Sequence, residues 1–163
     1  MKKTRILLVD DHDIVRLGLM TLLNDQPDME VVGEASAAAE AVKTAERLQP
    51  DVVLMDIRLP GEGGIEAARQ VIQQVPNSKI VMLTSFADDE LVVRAIRAGA
   101  VGYVLKQVGN EELLRAIRAA ARGEALLDPS TTARLLSRVR KAERKADEDA
   151  FRDLSRLEMD VLI

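Results

Sequence analysis

The stretch that decides the fold runs from residue 52 to residue 84 and reads VVLMDIRLPGEGGIEAARQVIQQVPNSKIVMLT. Two short apolar runs, Val52 to Met55 and Ile80 to Leu83, stand at its ends. Between them, apolar residues recur at helical spacing at Ile65, Ala68, Val71, Ile72 and Val75. The pattern predicts a strand, a helix and a second strand, and a helical crossover of this kind joins parallel strands.

The same alternation continues on both sides of this unit. Further strands are predicted at Ile6 to Val9, Val31-Val32 and Tyr103 to Leu105. The helices predicted between the strands carry their apolar residues at Ile14, Leu17, Leu22 and Leu23, at Ala41, Val42, Ala45 and Leu48, and at Leu91, Val92, Ala95 and Ile96. Five strands that alternate with helices predict a doubly wound α/β fold, in which a parallel sheet is covered on both faces.

The end of a predicted fifth helix and the start of another helix after it set the expected domain limits. Asn110 is predicted to cap the fifth helix, and Gly123 to end it. Asp128-Pro129 then predicts the start of another helix, so residues 124–150 are expected to form an α-helical linker. The first domain therefore spans 1–123, and residues 151–163 begin another segment.

The composition excludes several classes of function. The chain has no cysteine and one histidine among 163 residues, so disulfides, thiolate metal sites and His-rich zinc sites are excluded. Its net charge of −4 argues against DNA binding by this stretch itself. The apolar run after the basic N-terminus is too short for a membrane span or a signal peptide, and we expect a cytoplasmic protein without membrane contact.

Polar side chains follow the strands at the points where the strands end. Asp10 and Asp11 follow the first strand, Asp56 the third, Thr84 the fourth and Lys106 the fifth. Each alone could be a helix cap, a turn residue or a solvated charge, but the carboxyl ends of parallel strands share one edge of the sheet. Clustered carboxylates repel one another unless a cation lies among them, so a hard cation such as Mg²⁺ is expected here, beside a carboxylate able to accept a phosphoryl group.

The motifs that carry these residues are Leu7–His12, Leu54–Ile57, Leu83–Ser85 and Gly102–Lys106. Together they resemble the motifs of two-component response regulators. More narrowly, the chain resembles the NarL/FixJ subfamily, with LiaR/VraR-like receivers, in which a receiver precedes a LuxR-type helix-turn-helix. The resemblance covers 1–123 as a receiver domain and implies a CheY-like, flavodoxin-like sheet with strand order 2-1-3-4-5.

The resemblance implies a role for each acid. Asp56 would be the phosphoacceptor, while Asp10, Asp11, Asp56 and the backbone carbonyl of Arg58 would hold Mg²⁺ or Mn²⁺. Such a receiver assists its own magnesium-dependent phosphorylation and dephosphorylation and is not an enzyme in the ordinary sense.

The resemblance also implies a phosphate-binding and switch set. Thr84 and Lys106 would bind phosphoryl oxygens, and Tyr103 would be an aromatic switch that turns inward when Thr84 is drawn toward the phosphate. The alternative for Tyr103 is an amphipathic aromatic at the surface. Gln107 departs from the family pattern, because many receivers have proline there, preceded by a cis bond; the Lys106–Gln107 geometry is left open.

Two further interpretations concern the acids near the N-terminus. His12 could be a metal ligand or a base, but its position favours the start of the first helix. Asp11 and Asp13 superficially match the Asp-x-Asp motif of haloacid-dehalogenase-like phosphatases, although Asp56 and Lys106 fit the receiver better.

The resemblance implies partners as well. A sensor histidine kinase would phosphorylate Asp56, the chain would form a homodimer on phosphorylation, and a C-terminal domain would bind promoter DNA. Residues 151–163 resemble the start of that LuxR-type domain, with Ser155 and Glu158 spaced as a capping box, and they stop before a recognition helix. The alternative is a stand-alone receiver that acts through protein contacts without DNA binding.

Overall fold

The computed structural model describes residues 2–61, 63–85, 89–106, 109–124 and 126–127. The chain divides into a compact unit Met1–Asp128 and a second unit Pro129–Ile163. The predicted helix after Pro129, the Lys106–Gln107 bond and the expected start of a LuxR-type domain lie outside the described residues. The strands and helices of the described residues belong to the first unit.

Strands and helices alternate along this unit as the periodicity predicts. The strands are β1 Thr4–Val9, β2 Met29–Ala35, β3 Val52–Asp56, β4 Lys79–Thr84, β5 Gly102–Leu105 and β6 Leu126–Leu127. The helices are α1 Asp13–Asn24, α2 Ala38–Leu48, α3 Gly64–Gln74, α4 Asp89–Arg97 and α5 Asn110–Ala121. Among the described residues, none of the helices combines the length and the hydropathy that a membrane span requires.

The sheet is parallel and has the order β2-β1-β3-β4-β5-β6, which contains the predicted order 2-1-3-4-5. The short strand β6 was not predicted; it pairs with β5 through Gly102 and Tyr103. The register places Val9 beside Met55 and Met55 beside Met82, so β1, β3 and β4 end at similar heights. The residues that follow these strands therefore meet at one edge.

Each face of the sheet buries alternate residues of the same strands. On one face Ile6, Leu8 and Leu54 pack with Leu23 of α1 and Ile117 of α5 in a single core cluster. Other residues of these strands are equally buried, including Leu7, Val53 and Met82. Burial on both faces explains why the strands are continuous apolar runs.

Helices α2 and α3 pack closely together because their buried residues are small. The buried residues of these helices include Ala41 and Ala45 on α2 and Ala67 and Ala68 on α3. Small side chains let two helix backbones approach each other.

The fifth helix differs slightly from its prediction at the N-terminus. Gly109, and not Asn110, is the capping residue, and Asn110 is the first helical residue. The Gly109 carbonyl accepts hydrogen bonds from the N–H groups of Glu112 and Leu113, at 3.1 and 3.3 Å. The prediction of Gly123 at the C-terminus is confirmed, because Gly123 has a φ of 78° just after the last turn.

Candidate phosphoacceptor site

Two carboxylates lie at the centre of the site. Asp10 follows β1 and Asp56 ends β3, and because these neighbouring strands are in register the two residues emerge side by side. Both are buried, with Asp10 2% and Asp56 5% exposed. A buried carboxylate is costly unless it is hydrogen-bonded or paired with a cation. The partners of these two acids therefore decide how the site is held together.

Lys106 pairs with both carboxylates. Its Nζ lies 2.9 Å from Asp10 Oδ2 and 3.1 Å from Asp56 Oδ2. The side chain of Lys106 is 18% exposed, so the ammonium is largely withdrawn from water. Its backbone N–H donates to the Thr84 carbonyl at 2.7 Å, which holds the end of β5 against the end of β4. Lys106 thus links three strands at the edge where the predicted site lies.

Backbone donors complete the hydrogen bonding of the two acids. The N–H of Arg58 donates to Asp56 Oδ1 at 3.1 Å, and the N–H of His12 donates to Asp10 Oδ1 at 2.8 Å. Each acid therefore accepts from the residue two positions further along the chain. A carboxylate has about four acceptor positions, more than these backbone bonds occupy.

The pKa values of the two acids move in opposite directions. Burial raises the pKa of Asp56 above its ordinary value; the Arg58 N–H and Lys106 oppose this shift without cancelling it, and the charge of Asp10 adds to it. Burial also acts to raise the pKa of Asp10, but the His12 N–H and Lys106 outweigh it, so the pKa of Asp10 is lowered. Of the two acids, Asp56 therefore holds a proton more strongly than Asp10 does.

The Lys106 ammonium is stabilised by the same pair. Burial acts to lower the pKa of Lys106, but its bonds to Asp10 and Asp56 outweigh this and raise the pKa. Lys106 is therefore a permanent cation at neutral pH.

Asp11 and His12 lie at the open side of this pair. The Asp11 side chain is 33% exposed, and the His12 side chain is 65% exposed. His12 Nδ1 lies 3.0 Å from Asp10 Oδ1 and 3.1 Å from Asp11 Oδ1. His12 is also the capping residue of α1, as the sequence predicted, although its side chain does not hydrogen-bond the helix N-terminus.

The donor set fits a divalent cation. One ligand atom from each of Asp10, Asp11, His12 and Asp56 lies within 4.8 Å of the other three. The three carboxylates and the Lys106 ammonium leave a net charge of −2 when all are ionised. A hard cation with a preference for oxygen, such as Mg²⁺, matches both the charge and most of the donor atoms.

The remaining predicted residues are Thr84, Tyr103 and Arg58, which lie on β4, on β5 and just after β3. Thr84, the last residue of β4, is 1% exposed and adjoins Leu105 across the sheet. Tyr103 is also 1% exposed, so its ring lies in the interior, and the alternative of a surface aromatic is wrong. The predicted metal-ligand carbonyl belongs to Arg58, whose N–H is bonded to Asp56.

Sequence reasoning missed Arg16, which supports the first acid from α1. Its Nη1 donates to the Asp10 backbone carbonyl at 2.5 Å, its Nη2 to Asp13 at 2.5 Å and its Nε to Glu34 at 3.2 Å. The available signal was the Asp13–Arg16 spacing of three residues on a helix. That spacing explains the contact with Asp13 but not the contact with Asp10, which depends on the tertiary arrangement.

A second missed residue is Gly64, the first residue of α3. A Cβ at this position would lie 2.0 Å from the Asp56 carbonyl oxygen and 2.8 Å from Ile57 Cα. The Gly64 N–H donates to the Ile57 carbonyl at 2.7 Å. Only glycine permits this close approach of α3 to the end of β3, and the Gly63-Gly64 pair was the sequence signal.

The phosphatase alternative is not supported by the position of Asp13. The Asp13 side chain is 88% exposed and pairs with Arg16, outside the cluster of acids. The second carboxylate of an Asp-x-Asp motif is therefore absent from the site, whereas Asp56 and Lys106 meet in it. A parallel doubly wound domain with buried acids and a lysine at the strand ends is the arrangement expected of receiver domains.

Comparisons with known proteins place the chain in a family of this class. Residues 6–118 match the response regulator receiver domain family, and the chain belongs to it. The transcriptional regulatory protein LiaR of Bacillus subtilis is 46% identical over 142 residues, which cover 87% of this chain and 67% of LiaR. The DNA-binding transcriptional activator DevR/DosR of Mycobacterium tuberculosis is 42% identical over 88% of this chain and 66% of its own length.

A solved structure supports the same assignment. The crystal structure of a LuxR-family two-component response regulator from Aurantimonas sp. SI85-9A1 superimposes with a TM-score of 0.80 and 38% identity. The match covers 84% of this chain and 98% of that one. The resemblance to LuxR-family response regulators is thereby confirmed.

Proposed function

We propose that this chain is the phosphorylation-dependent receiver of a two-component transcriptional regulator, with Asp56 as the phosphoacceptor. The observation that supports this most directly is the buried Asp56 carboxylate, 3.1 Å from the Lys106 ammonium, in the cluster that ends β1, β3 and β5. A histidine kinase carrying a phosphorylated imidazole is the expected donor.

In the transfer, one Asp56 oxygen forms a bond to phosphorus while the P–N bond of the donor breaks. The electron pair of that bond goes to the imidazole nitrogen, which takes up a proton from water. Because burial raises the pKa of Asp56, its carboxylate is more basic than that of an exposed aspartate, which favours nucleophilic attack once it is ionised.

Lys106 and Thr84 would receive the charge that the phosphoryl group brings. The Lys106 ammonium already lies between the acids and can pair with a phosphoryl oxygen without a large movement. Thr84 ends the strand beside it and offers a hydroxyl. Asp10, Asp11, Asp56 and the Arg58 carbonyl would hold Mg²⁺ or Mn²⁺, which when bound neutralises the acids and the incoming phosphoryl group.

Phosphorylation would then change the population of an active conformation, through Thr84 and the buried Tyr103, and favour a homodimer. Shifting an equilibrium from mostly inactive to mostly active takes about 5.5 kcal/mol of differential stabilisation. New charge-assisted hydrogen bonds from the phosphoryl group to Lys106 and Thr84 would supply stabilisation of this kind. In a longer protein the dimer would present a C-terminal domain to promoter DNA.

The test is intact-protein mass spectrometry after incubation with acetyl phosphate. The wild type is expected to gain one phosphoryl group with Mg²⁺ and none with EDTA, whereas Asp56→Ala gains none in either. Asp13→Asn is the control, because it removes an exposed acid beside the site and should phosphorylate like the wild type. Equal phosphorylation of Asp56→Ala and wild type would contradict the proposal.

Light scattering on the same samples tests the dimer. The phosphorylated wild type is expected to show twice the monomer mass, and the EDTA sample the monomer mass. A phosphorylated chain that stays monomeric at all concentrations would favour a receiver that acts through contacts with other proteins.

A further inference from the structure

We propose that His12 is an additional metal ligand of this receiver, which makes its cation site a mixed oxygen and nitrogen site selective for transition-metal ions. The inference rests on the proposed metal site of Asp10, Asp11 and Asp56, and it extends that site to a residue outside the set of oxygen donors. Its consequence is a preference for ions such as Mn²⁺ and Co²⁺ that depends on one imidazole.

The His12 ring lies where a metal ligand would be expected. His12 Nδ1 lies 3.0 Å from an oxygen of Asp10 and 3.1 Å from an oxygen of Asp11, so it faces both acids at once. It also belongs to the set of four ligand atoms within 4.8 Å of one another. A histidine that served only as a helix cap would bond the first turn of α1, and the His12 side chain makes no such bond.

The backbone holds the ring in this position. The His12 N–H donates to the same Asp10 oxygen that Nδ1 contacts, at 2.8 Å, and Asp10 is itself held by Lys106. The imidazole and the first carboxylate are therefore oriented together. Such mutual orientation keeps ligands ready for an ion.

The accessibility of the ring suits ligation through Nδ1. A metal needs the lone pair of the nitrogen that binds it, so the proton of the neutral imidazole then lies on Nε2. The His12 side chain is 65% exposed, so water can hydrogen-bond to Nε2.

The chemistry of the imidazole donor predicts which metal ions the site prefers. Mg²⁺ prefers oxygen ligands and gains little from an imidazole, whereas affinity rises from Mn²⁺ to Co²⁺ at nitrogen-containing sites. Loss of His12 should therefore weaken Co²⁺ binding and leave Mg²⁺ binding almost unchanged. A residue that only positioned the carboxylates would affect both ions alike.

Calorimetric titration of the full chain with Mg²⁺ and with Co²⁺ at pH 8 tests this, because neutral imidazole is the form that binds a metal. His12→Asn is expected to lower Co²⁺ affinity about tenfold and Mg²⁺ affinity less than twofold. Asp13→Asn is the matched control for charge, since Asp13 is adjacent but outside the cluster; it should change the two affinities by the same factor.

Pulsed electron paramagnetic resonance of the Mn²⁺-loaded protein gives a second readout. His12 is the single histidine of the chain, so an imidazole nitrogen coupling can arise only from it. The coupling is expected in the wild type and in Asp13→Asn, and it should vanish in His12→Asn.

The outcomes separate this inference from the proposed function. Equal losses of Mg²⁺ and Co²⁺ affinity in His12→Asn, no loss of either, or no imidazole coupling in the wild type would overturn the role of His12 as a ligand. Phosphorylation of Asp56 with Mg²⁺ would still stand in those cases. Failure of the wild type to bind any of the ions would overturn the metal site itself and the inference with it.

Discussion

Lys106 pairs with two acids whose pKa values move in opposite directions, although the ammonium acts to lower both. Asp10 accepts a short backbone bond from His12 and ionises readily, whereas Asp56 remains the more basic of the pair. The two residues have the same side chain and similar burial, so the opposite directions of their pKa shifts follow from their neighbours. The raised pKa of Asp56 agrees with its proposed role as the phosphoacceptor.

At Asp56, replacement by Asn should not reduce stability in the absence of metal. The folded pKa of Asp56 is raised above its unfolded value of about 3.9, so ionisation opposes folding, and stability falls as pH rises from the unfolded to the folded pKa. We expect the unfolding free energy of Asp56→Asn at pH 7 to equal the wild-type value or exceed it by about 1 kcal/mol. Urea titrations at pH 4 and pH 7 in EDTA measure both values, and a clear loss of stability at pH 7 would contradict the expectation.

At Lys106, replacement by Met should cost both stability and phosphorylation. It leaves the buried acids Asp10 and Asp56 without their shared cation, and removal of one partner from a buried ion pair costs about 3 kcal/mol. Because Lys106 is partly exposed, we expect a loss nearer 2 kcal/mol in urea unfolding, reduced by added Mg²⁺. Stability equal to that of the wild type in EDTA would mean that Lys106 does not compensate these charges.

Gly64 allows the start of helix α3 to lie against the backbone at the end of β3. Gly64→Ala would bring a Cβ against backbone atoms of Asp56 and Ile57, which cannot move aside as a flexible side chain would. We expect a loss of about 3 kcal/mol and slower phosphorylation by acetyl phosphate. Gly18→Ala is the matched control in α1: nothing lies within 4 Å of its Cβ position, so stability should rise by about 0.5–1 kcal/mol. Equal effects of the two substitutions would refute the close-approach argument.

Helix α5 is tied to the turn before β2 by an ion pair with a predictable pH response. Arg118 Nε lies 2.8 Å from Asp28 Oδ2, and Arg118 lowers the pKa of Asp28. A lowered folded pKa gives stability that is present above the unfolded pKa of about 3.9 and is lost as pH falls through the folded pKa.

Since Asp28 is about half exposed, we expect Asp28→Asn to cost only about 0.5 kcal/mol at pH 7, and less at pH 2 to 3. Glu112→Gln is the control, because its contact with Arg115 is longer, 3.4 Å, and the Arg115 side chain is 63% exposed. Urea midpoints at the two pH values measure the difference. A loss for Asp28→Asn that is the same at low and neutral pH would exclude the ion pair as its cause.

At the scale of the whole molecule, the first compact unit extends to Asp128. The reason is β6, which pairs in parallel with β5 at Gly102 and Tyr103 and so covers an edge that would otherwise leave backbone groups open. A chain of residues 1–128 should therefore unfold in one cooperative urea transition and accept phosphate on Asp56.

A chain of residues 1–124 lacks β6 and should be less stable by about 1 kcal/mol, because it loses backbone hydrogen bonds at the edge of β5. Circular dichroism during urea titration compares the two chains. Identical midpoints would mean that β6 does not contribute to the stability of the sheet.

The sequence alone determined the fold class, the order of strands and helices, and the acids and lysine at the strand ends. These features are local or periodic: burial on both faces makes apolar runs, one-sided burial makes helical spacing, and parallel strands place their ends together. The tertiary structure alone decided that Lys106 bridges Asp10 and Asp56, that Gly64 touches the Asp56 carbonyl and that His12 turns toward two acids. Such contacts join residues far apart in the chain, or depend on which way a side chain turns, and no spacing rule encodes them.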